Sequence, residues 1–109
     1  MNVLFLPEVE DYLFELMEIL FEKEYFGFPE SAVHYVEDLV TDITQSLPQR
    51  QSRNAPSFFE KYGNEMSYAI FPKSRNTVWY VFFNMYQESG STVFLVRHIS
   101  NNHRIGKLL

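Results

Sequence analysis

A chain of 109 residues that is 46% hydrophobic and 17% aromatic has enough apolar surface for one packed domain spanning 1–109, which argues against a disordered chain. Without a cysteine it has no disulfide scaffold, thiolate metal site or thiol nucleophile, a composition that fits a reducing, cytoplasmic compartment. The net charge of −5 conceals a division: Met1 to Leu47 sets eleven carboxylates against Lys23 alone, a net of −10, and Pro48 to Leu109 sets eight bases against three carboxylates, a net of +5.

Asn2 to Leu6 reads as a short first strand, stopped by Pro7, which suits the first turn of a helix. Met1 to Leu6 is apolar but has no basic leader and does not read as a signal peptide. From Glu8 to about Tyr25, Val9, Tyr12, Leu13, Leu16, Leu20 and Phe21 recur at helical spacing, with the acids mainly opposite. Gly27 ends this helix, Pro29 opens a second and Pro48 closes it. Ala32, Val33, Val36, Leu39, Val40, Ile43 and Leu47 make the apolar face of that second helix. The short connection predicts an antiparallel helical hairpin.

Gln49 to Pro56 reads as a polar loop, and Ser57-Phe-Phe-Glu60 has the form of a capping box with Gly63 ending its turn. The period then changes to that of strands, at Ser67–Lys73, Thr77–Tyr86 and Thr92–Ile99. The links at Ser74–Asn76 and Glu88–Gly90 are short enough for hairpins, so the three strands form an antiparallel meander. The tail, Ser100 to Leu109, either continues the last strand or docks a short helix through Ile105, Leu108 and Leu109. No apolar run approaches the roughly 18 residues of a spanning helix, so no membrane partner is expected. The predicted class is α+β, in the order β-α-α-β-β-β, with an antiparallel sheet covered on one face by the helices. The other face is expected to be partly open or covered by a partner.

This order, with the strand Val3-Leu-Phe-Leu6 running into an acidic helix, the Phe58-Phe-Glu-Lys-Tyr-Gly63 turn, the central strand Trp79-Tyr-Val-Phe-Phe83 and the last strand Val93-Phe-Leu-Val-Arg-His98, resembles the RelE/ParE toxin superfamily of bacterial type II toxin–antitoxin systems. The resemblance covers nearly the whole chain. It implies a cognate antitoxin as partner, and as target either messenger RNA on the ribosome or DNA gyrase. For the RNA-cutting members it implies a metal-independent endoribonuclease that needs no cofactor: a 2′-hydroxyl attacks the adjacent phosphate while side chains move protons and stabilise the phosphorane.

In that frame Arg97, Arg104, His103 and Tyr86 are the candidate catalytic residues. Lys73, Arg75 and Tyr80 are candidates for holding RNA phosphate or stacking on a base. Strand alternation sends neighbouring Arg97 and His98 to opposite faces. Arg97 is placed on the open face and His98 inward as a core histidine. His103 and Arg104 lie in the tail, able to join Lys73 and Arg75 in a basic rim. Tyr80 and Tyr86 share a strand face opposite Trp79, and His34 reads as a surface histidine. No ligand-rich cluster suggests a metal. Two features depart from the family pattern. Ribosome-directed members are usually basic overall. Many members also follow the last-strand histidine with Gly and Arg, where this chain has Ile99-Ser-Asn-Asn102. These departures support an alternative, a catalytically inactive RelE/ParE-like module that only binds a protein partner.

Overall fold

The computed structural model describes residues 1–22 and 29–109. Tyr25, Gly27 and the expected tight connection between the helices lie outside the described residues. The elements run β1 (Asn2–Phe5), α1 (Pro7–Glu22), α2 (Pro29–Ser46), β2 (Ser52–Asn54), β3 (Ser67–Pro72), β4 (Val78–Glu88), β5 (Ser91–Asn101) and α3 (Asn102–Ile105). Short 3₁₀ turns fall at Leu47–Gln49, Ser57–Tyr62 and Gly106–Leu108. The class is α+β. The five strands lie in the order β1-β5-β4-β3-β2.

Two expectations about the sheet are corrected. The sheet is mixed, because β1 pairs with β5 in parallel, Asn2 with Val93 through Phe5 with Val96. β1 meets β5 only after both helices and three strands, and so long a connection permits parallel pairing where a hairpin does not. The supposed loop Gln49–Pro56 contains β2, whose Ser52 to Asn54 pair antiparallel with Ala69 to Ser67. All three residues of β2 are exposed. The edge of β3 holds this strand; the propensity of Ser-Arg-Asn does not.

The hairpins match the sequence. Ser89 and Gly90 take φ of 51° and 78°, the positive pair that a two-residue turn between right-twisted strands requires. The capping box at Ser57 does not form. Pro56 holds the cap position, its carbonyl accepts from Phe59 N at 3.0 Å, and Ser57 is already inside the turn.

The main core lies between the helices and one sheet face. Val9, Leu13 and Leu16 of α1 and Val36, Leu39 and Ile43 of α2 meet Ala69, Phe71, Trp79, Val81, Phe83, Phe94, Val96 and Ile99. Trp79, 1% exposed, donates its indole N–H to the Tyr35 hydroxyl at 2.8 Å. That bond fixes α2 over the sheet and satisfies the one polar atom of the largest core side chain. Phe21, expected on the buried face of α1, is 40% exposed.

The opposite sheet face, expected to be open or partner-covered, is partly covered by the chain itself. Phe59 from the Ser57–Tyr62 turn stacks on Phe82 of β4 with centroids 4.5 Å apart, and Met66, Tyr68 and Ile105 complete this second cluster. The tail continues β5 through Asn101 and then docks as a short helix, of whose apolar residues Ile105 is buried while Leu108 and Leu109 stay 40% and 37% exposed. Among the described residues, no helix is long and apolar enough to cross a membrane.

Replacing Tyr35 by Phe takes away the acceptor of a buried indole N–H. We expect Tyr35→Phe to lower unfolding stability by about 1–3 kcal/mol, read as a shifted urea midpoint at constant slope. An unchanged midpoint would remove this bond from the account of how α2 is held.

Candidate functional site

The site begins with an irregularity in β5. Phe82 pairs with His98 and Phe83 with Val96, so Arg97 is an extra residue in the ladder. Simple alternation, which predicts opposite faces for Arg97 and His98, fails at this bulge. Both side chains lie on the face away from α1 and α2. Arg97 Nη2 donates to the Tyr86 hydroxyl at 2.8 Å, and His98 stacks flat on Tyr62 with centroids 3.8 Å apart and 6° between planes. His98 is thus not a helix-side core histidine, and its neighbours Phe59 and Phe82 belong to the second cluster.

Gly63 makes room for Arg97. Its φ of 167° is extended backbone open to any residue, but a methyl group there would come within 2.5 Å of Arg97 Cδ. Arg97 Nε is buried and makes no hydrogen bond, which leaves donor capacity on a guanidinium already positioned by Tyr86.

Around these residues is a pocket of about 750 Å³, open beside the end of β1 and walled by α1, the Ser57–Tyr62 turn, β5 and the tail. Arg97, Arg104, Lys61, His98, Tyr62 and Tyr12 line it, with Glu8 the one carboxylate. Lys61 lies on the wall, its Nζ 4.2 Å from the Phe58 ring centroid. Burial, and then the Lys61 charge, push the His98 pKa from its usual 6.5 down to about 4, so the ring is neutral at physiological pH. Burial raises the Tyr12 pKa, against the opposing pull of the Arg104 charge and its hydrogen bond to the phenol. Tyr12 is accordingly a protonated donor in the neutral range.

Arg104 reaches the pocket because the tail is pinned. Asn101 caps α3, its Oδ1 accepting from His103 N at 3.0 Å and Arg104 N at 3.2 Å. Asn102 Oδ1 accepts from Val78 N at 2.9 Å, and its Nδ2 donates to Asn76 O at 3.2 Å. The Asn101-Asn102 pair is therefore a structural clamp.

The candidates from sequence fall into separate groups. Arg97 and Arg104 line the pocket, and Tyr86 stands behind Arg97. His103 turns away, its Nε2 lying 3.2 Å from Thr77 Oγ1. Lys73 lies 5.2 Å from the Tyr35 ring centroid, and Arg75 is exposed in the β3–β4 turn. Tyr80 packs edge-on against Tyr68, with centroids 6.0 Å apart. None of these four lines the pocket, so no continuous basic rim joins them to Arg97. Sequence reasoning missed Tyr12, Lys61, Tyr62 and the outward turn of His98. The Phe58-to-Gly63 segment was the available signal for two of them. Among the described residues, no group of three or more His, Asp or Glu side chains gathers where it could hold a metal ion.

In comparisons with protein-family models, curated proteins and solved structures, nothing matches this chain.

A histidine with a depressed folded-state pKa binds fewer protons when folded than when unfolded, within the interval between the two values. Stability therefore falls as pH drops from about 6.5 to about 4, with no further loss from this group below that. Titration of the His98 ring by NMR should give a midpoint near 4, raised in Lys61→Ala. His98→Phe should flatten the stability profile in that window relative to the parent chain. A midpoint near 6.5 contradicts the half-buried, stacked geometry.

Proposed function

We propose that the chain is a toxin-like protein of the RelE/ParE type whose pocket binds an RNA phosphodiester and cleaves it without a metal. The observation that carries this reading is the convergence of Arg97, Arg104, Lys61 and a neutral His98 on one pocket with an aromatic wall. Each group has a use in the transesterification. His98 accepts the proton of the 2′-hydroxyl, the 2′-oxygen forms a bond to phosphorus, and the bond from phosphorus to the 5′-oxygen breaks. The leaving oxygen takes a proton from Tyr12 or Lys61, giving a 2′,3′-cyclic phosphate and a 5′-hydroxyl. Arg97 and Arg104 stabilise the dianionic phosphorane through charge-assisted hydrogen bonds. Phe58, half exposed beside Lys61, offers a ring on which a splayed base can stack. Tyr86 and Gly63 position Arg97 and do not touch the substrate.

A second reading, the inactive protein-binding module, is favoured by one observation. Tyr86 already engages Arg97 by a hydrogen bond and Tyr12 lies within the electrostatic reach of Arg104, which is also how a purely structural network looks. The cognate antitoxin is the partner in either case, and gyrase is the alternative target.

Expression of the chain alone in a bacterium should arrest growth, and Arg97→Ala with Arg104→Ala should relieve the arrest. On translating ribosomes the protein should cut messenger RNA to leave 5′-hydroxyl ends, and His98→Ala should slow cutting by about 10²–10⁴-fold. Gly63→Ala should lower activity in parallel by displacing Arg97. Arrest without cleavage but with loss of supercoiling would move the target to gyrase. Normal growth at full expression, together with no cleavage, would leave the binding module standing.

A further inference from the structure

A second surface lies on the other side of the sheet edge. β1 is an outer strand, and among the described residues no strand pairs with its free side. Its sequence, Asn-Val-Leu-Phe, has none of the charges or prolines that usually guard an exposed edge. Phe5, the last residue of β1, borders a groove of about 360 Å³ between α1 and α2. Leu13, Phe14, Met17 and Val36 supply apolar walls, and the charged groups at its rim are Glu10 and Glu37. Phe14 is 68% exposed and Leu4 52%, one on the helix side of the edge and one on the other. An unguarded edge with an apolar groove beside it has the form that accepts an added strand: main-chain bonds attach it and alternate side chains enter the groove.

Charge decides the occupant. The described residues of α1 and α2 carry Glu8, Glu10, Asp11, Glu15, Glu18, Glu22, Glu30, Glu37, Asp38 and Asp42, with no lysine or arginine. Asp42 is paired with Arg50 at 3.4 Å. A second copy of the chain on this edge would bring two such layers together, and like charges across an interface oppose binding. We infer that the free edge of β1 and the adjacent groove dock an extended, basic segment of a partner protein, one whose groove-facing residues include both apolar side chains and Lys or Arg. The apolar residues enter beside Phe14, and the bases meet Glu10 and Glu37. This surface is separate from the Arg97 pocket and does not depend on what that pocket cleaves.

The probe is a short synthetic peptide of lysine and valine in alternating pairs, so that each strand face carries both, titrated into the full chain by NMR. It should bind saturably and shift the amides of Asn2–Phe5 and the signals of Phe14. Phe14→Glu, and separately Glu10→Lys with Glu37→Lys, should each weaken binding about tenfold or more, while Arg97→Ala leaves it unchanged. Phe14 is exposed, so its variant keeps the fold, and circular dichroism verifies this. Equal binding of a glutamate–valine peptide overturns the charge argument. Equal binding of a lysine-rich peptide interrupted by prolines overturns strand addition. Shifts at Arg97 and His98 instead of β1 overturn the location. Self-association abolished by Phe14→Glu assigns the edge to a second copy and overturns the partner.

Discussion

Between Phe82 and Phe83 of β4, the facing strand β5 carries one residue too many, and that residue is Arg97. If Arg97 took a regular place in the ladder instead, Val81 would face His98, and Ile99 would turn outward. A histidine would then sit among Phe71, Trp79 and Val96, while an isoleucine would point to solvent. With Arg97 bulged out of the ladder, Ile99 stays in the helix-side core at 3% exposure, and Arg97 and His98 share the outer face. The bulge lets the last strand finish its apolar duty and present a cation and an imidazole side by side. The path of the tail follows from the same register, since Asn101 and Asn102 must arrive in phase with Val78 and Asn76 to clamp α3.

The pocket also depends on the second cluster beneath it. Phe59 and Phe82 are both fully buried, each burial contributing on the order of 1.5–3 kcal/mol. They hold the Ser57–Tyr62 turn against the sheet, and that turn delivers Lys61 and Tyr62. Tyr62 then covers one face of His98, which keeps water from that face and favours the neutral imidazole. The unusual protonation state of His98 is thus a product of packing, with the nearby lysine as the smaller cause.

Periodicity was sufficient for α1, α2, β3, β4 and β5, because each has a long apolar pattern with one period. It failed at β2, where three polar residues form a strand only because β3 offers an edge. It failed again at Ser57, where a capping pattern met a proline that already set the turn. The parallel pairing of β1 was illegible because four apolar residues do not say which strand they will join. At the site, Arg97, Arg104 and Tyr86 were found by residue type. Lys73, Arg75 and His103 were grouped with them on the assumption of a shared face. The tail, held by Asn101 and Asn102, takes His103 to the β3–β4 turn instead. His98 was misplaced because alternation is a rule about regular ladders, and one residue of irregularity reverses it.

The charge division acquires two meanings once it is folded. The described parts of the helical layer carry negative charge and hold no lysine or arginine of their own, while the positive charge of the pocket is three side chains around one carboxylate. Exposed charges act over about 8 Å at physiological salt, so the pocket cannot draw a polyanion across the field of the acid layer. Under the proposed function, affinity for a phosphodiester arises at contact, from the held guanidinium of Arg97, the clamped Arg104 and an aromatic wall. Such a site selects by fit rather than by attraction. The acid layer is left free to attract a partner of opposite sign, and the unguarded edge of β1 lies beside it. Under the two proposals, the two halves of the charge pattern serve different ligands: a general acidity that recruits a basic chain, and a small, rigid patch of positive charge that works at hydrogen-bond distance.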